Sequence, residues 1–97
     1  MDHEIKWWKM SVGQQIANVG SEVARAIRKK NKGDKEGAEE FCIHAVEMLG
    51  YSKLDPKNVN RRKELLLAQE ELVDYILGEN RFNNNDQSIM KYYDAFC

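Results

Sequence analysis

The sequence predicts an all-α protein: a four-helix up-down bundle whose fourth helix is short. Three observations predict it. The 97 residues hold a single proline and no apolar/polar alternation of the kind that marks strands. Four segments repeat apolar residues at helical spacing, so each has one stripe to bury. Short turns signalled by glycine, asparagine or proline separate them, which sets neighbouring helices antiparallel. The length fits one domain, residues 1–97, able to bury a core without staples. An apolar fraction of 42% and a net charge of −1 fit a globular chain with no global pull toward nucleic acid or anionic lipid.

Residues Met1 to Met10 form a lead-in segment, read either as coil or as a helical turn docked by Trp7 and Trp8. The first helix runs from Val12 to Lys30. Ser11 and Gln14 make the S-x-x-Q capping box at its start, and Asn31-Lys32-Gly33 stops it. Its stripe is Val12, Ile16, Val19, Val23, Ala26 and Ile27. Gly13, Ala17, Gly20 and Ala24 make a ridge of small residues beside that stripe. A mid-helix glycine costs about 1 kcal/mol relative to alanine. The ridge therefore implies either a close helix contact or room for a bulky neighbour, Trp7 or a tyrosine.

The second helix runs from Lys35 to Leu49, with Asp34 as N-cap and Gly50 as C-cap. Its apolar residues are Ala38, Phe41, Cys42, Ala45, Met48 and Leu49. Tyr51 to Pro56 reads as an extended linker, because the residue before a proline avoids the helical region. The third helix runs from Asn58 to Gly78, and Glu79 to Asn85 reads as a loop. The fourth helix, Asp86 to Phe96, offers Ile89, Tyr92, Tyr93 and Phe96 to the core.

The third helix is the unusual one. Its stripe comprises Leu65, Leu66, Ala68, Leu72, Val73, Tyr75, Ile76 and Leu77, and Arg62 and Gln69 fall within the same arc. A buried polar group without a partner costs about 1–3 kcal/mol, so mid-helix Gln69 calls for a buried partner. The helix also carries its charge against its dipole. Lys57, Arg61, Arg62 and Lys63 sit at its positive start, and Glu70, Glu71, Asp74 and Glu79 at its negative end. In an up-down bundle that acidic end lies near the basic end of the first helix, which leaves the basic start with fewer partners. Lys57, Arg61, Arg62 and Lys63 are thus a candidate anion-binding set. The two basic clusters lie at opposite ends of the bundle, which argues against one continuous nucleic-acid footprint.

Catalytic and metal chemistry find little support. His3 and His44 lie in no zinc-type pattern, and no E-x-x-H pair marks a di-iron bundle. No serine sits in a nucleophile elbow, and Cys42 falls on an apolar stripe where thiols are inert. No phosphate-cradling glycine loop occurs. The expectation is therefore no catalytic residue, no metal and no cofactor. No apolar run reaches the roughly 18 residues that span a bilayer, and no signal peptide is evident. Cys42 and Cys97 lack metal or redox spacing and read as reduced thiols of a cytoplasmic protein. Ile43 and Leu67 point away from their stripes, and adjacent Trp7 and Trp8 cannot both be fully buried by one surface. These four are the candidate partner interface, with a homodimer as the expected use.

The run Ser21-Glu22-Val23-Ala24-Arg25-Ala26-Ile27, followed by Gly33-Asp34-Lys35-Glu36-Gly37-Ala38-Glu39-Glu40-Phe41, resembles small bacterial helical-bundle proteins. At the level of architecture, Ser11 to Tyr75 resembles the HEPN-type bundles, which accompany nucleotidyltransferases and form RNA-cleaving toxins. Ribonuclease chemistry in that family needs an arginine, then four to six residues, then a histidine. Five to seven positions before His44 stand Glu39, Ala38 and Gly37, so the resemblance implies no ribonuclease activity and transfers no site residue. The reading that follows is a non-catalytic bundle acting through protein contacts, as a dimer or accessory subunit. The alternative is a nucleic-acid or nucleotide-binding accessory domain using the basic start of the third helix.

Overall fold

The computed structural model describes residues 2–96, with side chains from residue 4 onward. His3 and Cys97, singled out above, lie outside the described side chains. The described residues form helices α1 (Asp2–Trp8), α2 (Val12–Asn31), α3 (Lys35–Leu54), α4 (Arg62–Ile76) and α5 (Asp86–Asp94), with a 3-10 segment at Pro56–Arg61 before α4. No strand occurs among them, as expected for an all-α chain.

The ends of α2 follow their local chemistry. Ser11 and Gln14 close the capping box reciprocally: the Ser11 hydroxyl accepts from the Gln14 amide at 3.1 Å, and Gln14 Oε1 accepts from the Ser11 amide at 3.0 Å. Gly33, at φ +79°, takes the left-handed turn that ends the helix. Asp34 then caps α3 by accepting from the Gly37 amide at 2.9 Å. That hydrogen bond, aided by Lys29, holds the Asp34 carboxyl below its ordinary range.

Gly50 does not stop α3. It lies inside the helix, outside the left-handed region, and α3 continues another turn to Leu54. The glycine serves the contact with α4: a Cβ at position 50 would lie 3.5 Å from Gln69 Nε2. The expected extended linker shrinks to Asp55 (φ −63°, ψ 123°), the one residue directly before the proline. Pro56 opens the 3-10 segment, so α4 begins at Arg62, four residues later than expected. Residues 2–8 form a helix rather than coil.

The helices pack against one another in pairs. Gln15 of α2 meets Ser52 of α3. Cys42, Val46 and Lys53 of α3 meet Leu72, Gln69 and Arg62 of α4 in turn. Asn31 of α2 meets Asp86 of α5, while Gly20 backs onto Tyr93. One apolar core unites them. Ile16, Val19, Val23 and Ile27 of α2 pack with Cys42, Ala45 and Leu49 of α3, Leu65, Ala68 and Leu72 of α4, and Ile89 and Tyr93 of α5. Among the described residues no helix is long and apolar enough to cross a membrane.

Candidate functional site

The most ordered polar assembly is buried at the end of the molecule where α1, the start of α2, the end of α3 and the 3-10 segment converge. Gln15, fully buried, is its hub. Gln15 Oε1 accepts from Ser52 Oγ at 2.8 Å and Asn58 Nδ2 at 3.1 Å. Gln15 Nε2 donates to Asp55 Oδ2 at 2.9 Å and to the carbonyls of Met10 and Trp7 at 3.1 and 3.2 Å. Trp7 Nε1 donates to Ser52 Oγ at 2.7 Å, and Asn58 Nδ2 also donates to the Ser52 carbonyl at 3.0 Å. Lys57 pairs with Asp55 at 2.6 Å. Burial pushes the Asp55 carboxyl up, but hydrogen bonds from Lys57 and Gln15 outweigh it and hold the group below its ordinary value. Gln15, Ser52, Asp55 and Asn58 are all buried, and their bonds fix the four segments together.

Sequence patterning gave no hint of Gln15, Ser52, Asp55 or Asn58 as interior residues. Polar residues reach the interior only through partners brought together from distant segments, here more than 35 positions apart in the Gln15 bonds to Ser52, Asp55 and Asn58. The one available signal was Asp55-Pro56, which marks a turn where a carboxylate caps the following amides. Asp55 Oδ1 does accept from the Lys57 amide at 3.0 Å.

Trp7 and Trp8 are half-buried and turned toward α3. Trp8 Nε1 donates to the Tyr51 carbonyl at 2.8 Å, so the pair docks α1 by two indole N–H groups. The basic set is largely occupied locally. Lys57 is held by Asp55 and by the Trp8 carbonyl, and Arg61 pairs with Glu64 at 3.1 Å. Arg62 donates to the Lys53 carbonyl at 3.1 Å, while Lys63 is exposed. Gln69, half-buried, donates to the Val46 carbonyl and accepts from Lys53 Nζ, both at 3.0 Å. His44 is exposed on α3, and no group of metal-ligating side chains occurs among the described residues. Burial, with Glu39 nearby, pushes the Cys42 thiol up to about 11, so it is a poor nucleophile.

The α4 stripe is half exposed. Leu65, Ala68, Leu72 and Tyr75 are buried, but Leu66, Val73 and Leu77 are 45%, 41% and 46% exposed. The expected stripe covered an arc of roughly 200°, about twice what a helix presents to a core. Its excess width was the visible sign that part of it faces outward. Gln69 lies at the seam between the two parts, against α3. Across that seam, Leu54 at 59% and Ile43 at 44% continue the exposed apolar surface along α3. Two clefts follow the groove between the two helices, one lined by Val46, Gln69, Glu70, Val73 and Asp74 and one by Lys53, Leu54, Arg62, Lys63 and Leu66. A third, where the end of α2 and the α2–α3 turn meet the end of α4, is lined by Lys30, Gly33, Lys35, Ala38, Glu39, Ile76 and Leu77. Leu67 lies elsewhere, in a cleft between α4 and α5 with Ile89 and Tyr92. Ile43 and Leu67 therefore belong to different surfaces.

Comparisons with protein-family models, curated proteins and solved structures return no significant match to this chain.

Proposed function

We propose that this chain is a non-catalytic helical bundle, an up-down arrangement of α2 to α5 braced by α1, that acts through protein contacts as a dimer or accessory subunit. The observation that carries this reading is the apolar strip along the α3–α4 groove. Leu54, Leu66, Val73 and Leu77, with Ile43, occupy one side of the molecule, whereas exposed Ile5, Val59 and Phe82 lie on α1, the 3-10 segment and the α4–α5 loop. A strip of neighbouring large apolar side chains rimmed by charge is the signature of a surface that another protein covers. The nucleic-acid alternative has less support, since Lys57 and Arg61 are held by Asp55 and Glu64.

The test compares the full chain with L66E/V73E, two changes at already exposed positions. The double variant keeps its helicity and loses its association, read as oligomeric state in solution and as the set of proteins retained from a lysate of the source cells. Identical association by wild type and variant in both measurements overturns the reading.

A further inference from the structure

We infer that the seat of α1 is a binding site for a short helix that ends in two adjacent tryptophans, and that α1 fills it as a tethered, exchangeable ligand. The seat shares no residue with the two clefts of the α3–α4 groove, so it stands apart from the interaction reading above.

The seat is complete without α1. Ser52 Oγ and Asn58 Nδ2 bond to Gln15 Oε1 at 2.8 and 3.1 Å, and Asn58 Nδ2 also bonds to the Ser52 carbonyl at 3.0 Å. Asp55 holds Gln15 Nε2 at 2.9 Å and Lys57 Nζ at 2.6 Å. None of these bonds involves α1. The apolar core is equally independent: its buried members come from α2 to α5, and Trp7 of α1 only packs against them.

What the seat has left over faces α1. Gln15 Nε2 has a second N–H beyond the one that Asp55 takes, and the carbonyls of Trp7 and Met10 receive it at 3.2 and 3.1 Å. The Lys57 ammonium has further donors after Asp55, and one reaches the Trp8 carbonyl. Ser52 Oγ gives its one proton to Gln15 and accepts from Trp7 Nε1 at 2.7 Å. The Asp55 amide turns to the Ser52 carbonyl at 3.2 Å, which frees the Tyr51 carbonyl of its α-helical donor. Trp8 Nε1 takes that carbonyl at 2.8 Å. The seat is therefore two-sided. Its donors meet the carbonyls that a helix C-terminus leaves without partners, and the Lys57 charge suits the negative end of the helix dipole. Its acceptors meet two indole N–H groups, which phenylalanine lacks.

α1 depends on the seat in turn. Its seven residues are too few to stay helical alone in water. Lys9, Met10 and Ser11, outside any helix, link it to α2. Its release leaves a closed bundle with a preformed seat, and it bares Trp7 and Trp8 at the same time. A helix end of the same chemistry on another protein competes with α1 for the seat, which makes α1 an autoinhibitory strap. A short hinge gives α1 an effective concentration on the order of millimolar. Docking for about nine-tenths of the time then corresponds to a dissociation constant of about 100 µM for the same segment supplied in trans.

The experiment uses the full chain carrying W7A/W8A, which undocks α1 and leaves the protein without tryptophan. A synthetic peptide of residues 1–10 then carries the only indoles, and its emission shifts to the blue as they enter the seat. Anisotropy of the same peptide bearing fluorescein gives the affinity. The W7A/W8A chain keeps its helical circular dichroism and binds the peptide at about 100 µM or tighter. The wild type, whose seat is filled, binds it about tenfold more weakly. A W7F/W8F peptide loses about tenfold or more, because its rings bring no N–H. No binding up to about 1 mM, ten times the expected constant, overturns the site. So does equal affinity for the W7F/W8F peptide, or a wild type that binds as tightly as W7A/W8A. A W7A/W8A chain that unfolds overturns it too, because the body must stand without α1. In the wild type both tryptophans report on α1, so urea changes their emission before it changes the circular dichroism of the bundle. Coincident transitions overturn the strap.

Discussion

Gln15 shows how much one side chain can organise when its surroundings are dry. Its amide joins the backbone of Trp7 and Met10 to Ser52, Asp55 and Asn58. Replacing it with leucine keeps the approximate size but strips partners from at least three buried polar groups. Each such loss costs about 1–3 kcal/mol, so Gln15→Leu lowers unfolding stability by roughly 3 kcal/mol or more, read from the urea midpoint. A loss below about 0.5 kcal/mol would show that the network contributes nothing measurable. Asp55 gives the network a pH signature. Its folded value lies below the ordinary 3.8, so its ionised form contributes stability in full above that value, and the contribution fades as pH falls through the lower folded one. The stability gap between wild type and Asp55→Asn is therefore constant near neutrality and shrinks below about pH 4. Asp34 and Asp86 shift in the same direction and remain in both proteins, so they cancel in that difference. A gap independent of pH between acid and neutral conditions would rule out the Asp55 account.

At the scale of elements, α2 and α5 meet closely at Gly20. A Cβ on Gly20 would stand 2.8 Å from Tyr93 Cβ, closer than side-chain atoms can sit, whereas at Gly13 the nearest atom is Ser11 Oγ at 3.9 Å. Two glycines of one ridge thus behave oppositely. Gly20→Ala forces α5 outward and costs about 1–3 kcal/mol, while Gly13→Ala gains up to about 1 kcal/mol from helix propensity. Thermal melting of the two variants checks this, and equal shifts of the same sign would refute it. The ridge also shows what patterning can resolve. Period and caps located α2 almost to the residue, because Ser11, Gln14 and Gly33 act through neighbours three or four positions away. They could not say that Tyr93 fills the gap left by Gly20, since that depends on residues 73 positions apart. The same limit explains the α3 end. Gly50 reads locally as a stop, yet Ser52 belongs in the interior network and Gln69 lies against residue 50, so tertiary contacts carry the helix onward. The α4 stripe is the converse: its residues were visible, and only packing could divide them into Leu65 and Leu72 inside and Leu66 and Val73 outside.

At the scale of the molecule, the polar network and the apolar core occupy different levels of one bundle. Ser52 of the network and Cys42 of the core lie ten residues apart on α3, about 15 Å along the helix. Whether they stand or fall together depends on cooperativity, and small single domains usually unfold as one unit. Cys42 supplies the reporter. It is fully buried, its thiol approaches the Leu72 carbonyl at 4.0 Å, and burial keeps it protonated at ordinary pH. A thiol reagent reaches it only when the surrounding helices open, so its labelling rate measures the population of the open state. In a Cys97→Ser background, Gln15→Leu therefore speeds labelling of Cys42 by about a hundredfold, the factor that roughly 3 kcal/mol implies. If α3 instead opened locally around Cys42, the remote change at Gln15 would leave the rate where it was. Matching the ratio of labelling rates to the independently measured loss of stability separates the two cases, and equality means that the bundle opens as a whole.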